Sequence, residues 1–318
     1  MCSVHHIKAQ KINKVSLNDP DLKTEVFYDN PRKIMYNFGA TVGADGSATS
    51  AAVYADFSGF LNIKPILIRA NYSLDITKSN YISAKHPLAD KFSPYSNFQI
   101  SGFINIKDEE TTINSQPIVG IDVIERVDEN TVRGAVYGTD QTIKVRITRG
   151  IGGSVIFHSG NNYSTSKTNT DHLTFVNQGL NPNEFVLPYN AVTVGVGFQT
   201  GRFKAFNYKY TYKNLKPYKF KEKYFKVQTY ELLYAPSISY ERNIWVSANN
   251  VTFKAEVEEV KKFPFGIRTL LIQNFYSGKK RAKKPGFYTN VEVGMRPGIY
   301  SKIFPESLYV RFGVGLTM

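Results

Sequence analysis

At its C-terminal end the chain alternates strictly. In Leu308, Val310, Phe312, Val314, Leu316 and Met318 every even position is apolar, while Tyr309, Arg311, Gly313, Gly315 and Thr317 between them are polar or small. The preceding segment sets Phe287, Thr289, Val291, Val293 and Met295 against Asn290, Glu292, Gly294 and Arg296. Successive side chains of a strand point to opposite faces, so a period of two predicts strands with one apolar and one polar side. The same period places Ile34, Tyr36, Phe38, Ala40 and Val42 on one face, and Ile66, Ile68, Ala70, Tyr72, Leu74 and Ile76 opposite Arg69, Asn71, Ser73 and Asp75. It recurs at Val192 to Phe198 and at Phe206 to Tyr212, where Asn207, Lys209 and Thr211 fall on the polar side. Less regular strands are predicted at 51–62, 96–107, 224–234, 236–247 and 265–276.

Strand length turns this β signal into a membrane signal. The alternating run from Ile66 exceeds the roughly 9–11 residues a tilted strand needs to cross a bilayer. The expected fold is therefore all-β: a single antiparallel transmembrane β-barrel of about 12–14 strands over residues 31–318, after a polar tail at 1–30. Residues 108–190 are read as extended extracellular hairpins and loops. Within them Val119-Ile121-Val123 and Ile143-Val145-Ile147 form short strands, and 160–190 a long polar loop. Turn residues at Ala44 to Ser47, Gln199 to Arg202, Lys284 to Gly286 and Arg296 to Gly298 separate strands, the second as a tight periplasmic hairpin. Ala255 to Lys262 is the one segment with helical character, although its charges also suit a loop.

Composition narrows the reading. There are 21 Tyr and 22 Phe against one Trp, and the mean hydropathy is −0.29. A helical membrane protein would need apolar runs of about 18 residues or more, which are absent here. A barrel keeps average hydropathy low, because half of every strand faces the lumen, and aromatic girdles raise its Tyr and Phe count. Cys2 is the single cysteine, so no internal disulfide or Cys-based metal site is available. The net charge of +14 permits an acidic partner. No nucleic-acid-binding signature accompanies it, so nucleic acid is not expected. The expected partners are outer-membrane lipid and lipopolysaccharide, with other envelope proteins.

The closing segment, Gly286 to Met295 followed by Leu308 to Met318, resembles the final hairpin of Bacteroidota outer-membrane β-barrels. The likeness implies a bacterial outer-membrane location and an insertion signal in the last strand. It departs from the pattern at Met318, where such barrels end on an aromatic residue. Ile7-Lys8-Ala9-Gln10 resembles the end of an exported protein's signal peptide, which would make 1–30 an export remnant and periplasmic tail. Members of this broad class serve as solute channels, components of secretion or gliding machinery, or enzymes.

Candidate chemistry is sparse. His158-Ser159-Gly160-Asn161 is similar to the His-x-Ser-Asn arrangement of outer-membrane phospholipases and lipid A deacylases. Adjacent strand residues face opposite sides, however, and a nucleophile must lie within hydrogen-bond reach of its base. No catalytic residue, cofactor or metal site is assigned. Asp108-Glu109-Glu110 reads as a solvated loop tip, and His86 and His172 as loop residues. The functional candidates are lumen-facing charges, Arg69, Lys209, Arg268, Glu292, Arg296 and Arg311, which would either tune a pore toward anions or fill a closed lumen with ion pairs. Lys279, Lys280, Arg281, Lys283 and Lys284 form a basic loop, and a second basic run covers Lys216, Lys219, Lys221, Lys223 and Lys226. The expected function is a non-enzymatic outer-membrane barrel, either part of an envelope assembly or a solute pore. A soluble β-sandwich or adhesin-like binding module is the alternative, and a lipid hydrolase the third reading.

Overall fold

The computed structural model describes residues 6–8, 12–28, 34–45, 52–76, 88, 91, 95–126, 131–164, 173–177, 182, 184–248, 251–276, 286–299 and 308–318. Ten strands form one ring: β1 (Ile34–Asp45), β2 (Ala52–Ile63), β3 (Ile66–Asp75), β4 (Ser96–Ser115), β5 (Gln141–Ser164), β6 (Glu184–Tyr212), β7 (Tyr218–Tyr240), β8 (Phe265–Tyr276), β9 (Gly286–Met295) and β10 (Leu308–Thr317). Each pairs antiparallel with its neighbours in the chain. The last strand returns to the first, from Tyr309 opposite Asp45 to Thr317 opposite Asn37. The sheet therefore closes without a free edge in the ring, as an up-and-down barrel does.

Ten strands is fewer than the twelve to fourteen expected. The reason lies in β5, β6 and β7, which are 24, 29 and 23 residues long. The two alternating segments Val192 to Phe198 and Phe206 to Tyr212 are halves of one strand, β6. Gln199 to Arg202 is thus mid-strand and not a hairpin. Gly201 serves packing there, because a Cβ would overlap the Thr148 hydroxyl and approach the Phe203 ring to 3.1 Å. The predicted polar loop at 160–190 is shorter than expected, since β5 runs to Ser164 and β6 starts at Glu184.

We call the end where β1 starts and β10 finishes the near end. Here β4 to β7 continue past the ring, and Leu22–Tyr28 replaces β5 as the partner of β6, pairing Leu22 with Tyr212 and Tyr28 with Phe206. A small four-stranded sheet packs on the outer face of this extension. Its Thr131–Thr139 strand pairs in parallel with His6–Lys8 and Ile12–Val15, and antiparallel with Ile118–Arg126. Val15, Leu22, Val119, Ile143, Tyr208 and Tyr210 make its core. Residues 12–28 are therefore not a free tail, because Ile12–Val15 and Leu22–Tyr28 supply strands with buried apolar positions. Asp108-Glu109-Glu110 is not a loop tip but the mid-part of β4, opposite Thr148, Ile147 and Arg146.

At the far end the chain between β7 and β8 forms a hairpin, Asn243–Ala248 with Val251–Val260. It pairs with Glu184–Val186 of β6 and with Leu173–Phe175. The segment read as helical is therefore a strand: Ala255 and Val257 are buried while Glu256 and Glu258 are exposed, a period of two. Phe185, Leu187, Ile244 and Val246 join Ala255 and Val257 in a second small core above the ring.

Candidate functional site

The outer face of the ring decides the setting of the protein. Outward side chains on every strand are large and apolar, among them Tyr36, Phe57, Ile68, Ile100, Phe157, Val196, Leu232, Ile267, Val293 and Phe312. Val196 and Leu232 are each 65% exposed. The outward positions of the described ring carry no charge from Ile34 to Val42, Ile66 to Ile76, Ile151 to Phe157, Val192 to Phe198 or Leu308 to Leu316. A soluble monomer's largest apolar patch reaches only about 300–600 Å². From Ile66 to Ile76 the apolar face runs about 33 Å along the strand, or roughly 24 Å along an axis tilted near 45°, close to an apolar bilayer core. The chain is a membrane β-barrel. A soluble sandwich is ruled out by the closed ring and by the direction in which its apolar face points.

Inward positions carry the polar half of the alternation, and they converge. Arg268 on β8 is 3% exposed. Its Nε donates to Glu231 Oε2 at 2.9 Å, Nη1 to Gln99 Oε1 at 2.8 Å and Nη2 to Ser154 Oγ at 3.3 Å, with a second, closer contact from Nη2 to Glu231. Glu292 lies 3.9 Å from Arg268 Nη1 and accepts from the Tyr309 hydroxyl at 2.7 Å. The Arg311 guanidinium sits over the rings of Tyr54 and Tyr95, at 4.5 and 4.6 Å from their centroids. Arg296 stacks on Tyr309 at 3.8 Å at the far mouth. Thr41 donates to Asp56. Room for these groups comes from the small residues of β10: a Cβ on Gly313 would overlap Asn290 and Thr41.

Below this network an apolar layer crosses the lumen near its near end. Met35, Phe60, Leu67, Phe203, Phe225 and Ile272, from six strands, meet in one cluster. Phe225 packs 4.7 Å from Phe203 and 5.7 Å from Phe60, ring to ring. Arg146 covers the layer from the near side, 5.3 Å above the Phe203 ring, and grips Asp108 through two bonds of 2.6 Å. Lys64 adds a third contact to Asp108 at 3.3 Å. Together these hydrogen bonds hold the Asp108 carboxyl below the usual carboxylate range, the Arg146 bonds contributing most. Among the described residues two cavities of about 20 Å³ lie in the lumen, one beside Asn37, Asp56 and Arg311 and one beside His158, Thr193 and Glu292. Each is large enough for water and too small for an organic solute.

The structure brings together Arg69, Arg268, Glu292 and Arg311 inside the ring and Arg296 at its mouth. Lys209 is on the anticipated face but at another level: it lies past the ring, opposite Glu25 of Leu22–Tyr28, and bonds to it at 2.5 Å. Three further buried carboxylates, each 4% exposed, complete the set: Asp75, which the alternation places on the polar face, and Asp56 and Glu231, which it does not single out. Among the described residues they and Glu292 match Arg69, Arg268, Arg296 and Arg311 one for one, which removes the cation excess behind the expected anion preference. His158 is buried in the lumen, edge-on to Tyr189 at 5.8 Å. Ser159 turns the other way, and its hydroxyl bonds to that of Ser96 at 2.8 Å. The basic loop Lys279, Lys280, Arg281, Lys283 and Lys284 lies outside the described residues, as do His86 and His172.

No known protein family matches the sequence. Nor does any curated protein show significant sequence similarity to it. Among solved structures the chain is similar to a deletion mutant of the monoaromatic hydrocarbon channel TodX, at 6% identity over 91% of this chain and 90% of that one, with a TM-score of 0.20. It is also similar to OmpT, an outer membrane protein of Vibrio cholerae, at 9% identity over 95% and 98% of the two chains, with a TM-score of 0.16. Both superpose too loosely to inform the function of this chain.

Proposed function

We propose that this protein is a non-conducting, non-enzymatic barrel of a Gram-negative outer membrane, serving as a membrane component of an envelope assembly. The observation that carries this reading is the filled lumen. A pore needs a continuous wet path. Here an apolar layer from six strands and a neutralised arginine and carboxylate network occupy the bore. What the ring offers instead is a rigid wall holding two ordered sheets, one beyond each rim. The outer membrane is favoured by the even strand number and by the antiparallel pairing of first strand with last. The closing hairpin's likeness to Bacteroidota barrels supports the same location. Against hydrolysis stands the geometry of His158 and Ser159, which face opposite sides of β5. Planar-bilayer recording of the purified protein tests the proposal: the expected trace is silent, and reproducible conductance steps would restore the solute-pore reading.

A further inference from the structure

Where the apolar wall ends at the near rim, four consecutive strands turn basic on their outward face. Lys107 of β4 stands directly opposite Arg149 of β5, and Arg202 of β6 directly opposite Lys226 of β7. All four continue the faces that carry Ile104, Ile151, Phe198 and Tyr230 a step or two further into the wall. Like charges paired across strands repel, and two such pairs side by side are a cost that folding alone does not explain. Lys107 is relieved by Glu109 on its own strand, at 2.9 Å. Arg149, Arg202 and Lys226 have no carboxylate within ion-pair distance among the described residues. The small near-end sheet packs on the same outer face beyond them, burying Tyr208 and Tyr210. The basic patch therefore lies in a band bounded by lipid-facing side chains on one side and by protein on the other.

We propose that Arg149, Arg202 and Lys226, with Lys107, form a binding site for the phosphate of an anionic phospholipid in the leaflet at the near rim. Continuity with the apolar wall selects a lipid over a soluble anion, because acyl chains would lie along Ile104, Ile151 and Phe198 while the headgroup meets the cations. Guanidinium groups suit this role, since their fixed donors match phosphate oxygens in pairs. Basic residues flanking a membrane-embedded surface are drawn to anionic headgroups in the same way.

This site rests on the membrane-barrel reading, and the two can fail separately. The protein is folded into vesicles of dioleoylphosphatidylcholine alone, or of the same lipid with a minor share of dioleoylphosphatidylglycerol, and its unfolding temperature is read from heat-modifiable gel migration. No folded band in either vesicle would overturn the membrane barrel itself. The site predicts a higher unfolding temperature with phosphatidylglycerol for the wild type. It also predicts loss of that rise in the combined variant Arg149→Gln, Arg202→Gln and Lys226→Gln. In phosphatidylcholine alone the same variant should unfold no lower than wild type, because it sheds like-charge repulsion, which separates a lost site from a damaged fold. The charge-keeping pair Arg149→Lys and Arg202→Lys should retain only part of the rise, since an ammonium keeps the charge but loses the paired donors. An equal response of wild type and triple variant to phosphatidylglycerol would overturn the proposal. So would an equal rise produced by inorganic phosphate in phosphatidylcholine vesicles, which would assign the patch to a free anion.

Discussion

A filled lumen and an open one make opposite forecasts for Arg268. Its guanidinium holds Glu231, Gln99 and Ser154 and lies near Glu292, and the side chains of Arg268 and Glu231 are 2% and 0% exposed. Replacing it by Met leaves the buried Glu231 carboxylate without the guanidinium that pairs with it. Breaking a buried pair from one side costs about 3–5 kcal/mol, while an exposed pair is worth roughly 0–1 kcal/mol. Arg268→Met should therefore lose about 3–5 kcal/mol, and Glu231→Leu a similar amount by stranding the guanidinium. The double variant should recover most of the loss, since two apolar side chains of similar volume demand no partner. Urea unfolding of the vesicle-inserted barrel, followed by tyrosine fluorescence and linear extrapolation, supplies the four free energies of the cycle. A single Arg268→Met costing under about 1 kcal/mol, or a double variant as unstable as the sum of the singles, would refute the filled lumen. Water would then reach these charges, and a conducting path would return.

Three further outcomes test other parts of the architecture. Val196→Arg, at an outward wall position, should cost about 2–4 kcal/mol in a bilayer; a change within about 0.5 kcal/mol, the norm for a wetted surface, would remove β6 from the lipid. Asp108 titrates below its unfolded value because Arg146 and Lys64 bond its charged form, so its stabilisation is complete above about pH 4 and fades as pH falls through the lowered value. Asp108→Asn should thus be less stable than wild type at neutral pH, with the gap closing in acid below about pH 4; a gap that stays constant to about pH 2 would contradict the assignment. Ser159→Ala should lose only about 0.5–1.5 kcal/mol, the worth of its bond to Ser96, and leave phospholipid hydrolysis where the wild type has it. Wild-type hydrolysis abolished by that change would make Ser159 a nucleophile.

The wall was legible in the sequence because lipid and lumen impose opposite demands on neighbouring residues, and alternation records both. Segments 34–42, 66–76 and 308–318 show it cleanly, since apart from Met35 and Leu67 in the apolar layer their inward positions are small or polar. On β7 the signal blurs: inward Phe225, Val227 and Leu233 belong to lumen packing, so Glu231 among them did not stand out as a lumen charge. Asp56 was hidden similarly, on an inner face that it shares with Tyr54 and Phe60. Strand number failed for another reason. A glycine within polar neighbours, as in Gln199 to Arg202, has the composition of a turn, and only Thr148, paired opposite it on β5, shows why Gly201 is needed. Lys209 was assigned to the correct face, but periodicity carries no information on how far along a 29-residue strand the membrane ends.

Strands that outrun the membrane bear on where function resides. The ring spends much of its inward face on internal contacts: Arg268 meets Glu231, Arg311 lies over tyrosine rings and aromatic side chains fill the near end, while Arg69 Nε and Arg311 Nε and Nη2 are buried with no hydrogen-bond partner among the described residues. Nothing in that arrangement requires strands longer than the bilayer. Yet β4 to β7 overrun the ring at the near end, where they carry a separate sheet with its own buried core. Ordering a residue costs about 1–2 kcal/mol of backbone entropy, so such an extension persists only if its core offsets that cost. Tyr208, Tyr210, Ile143 and Val119 supply this core, on the outer face, just past the cations that border the lipid. A barrel that conducted would concentrate its chemistry along its axis. This one concentrates ordered surface at a rim, together with cations that lack a carboxylate partner among the described residues, which agrees with the proposed role as a membrane component of an assembly.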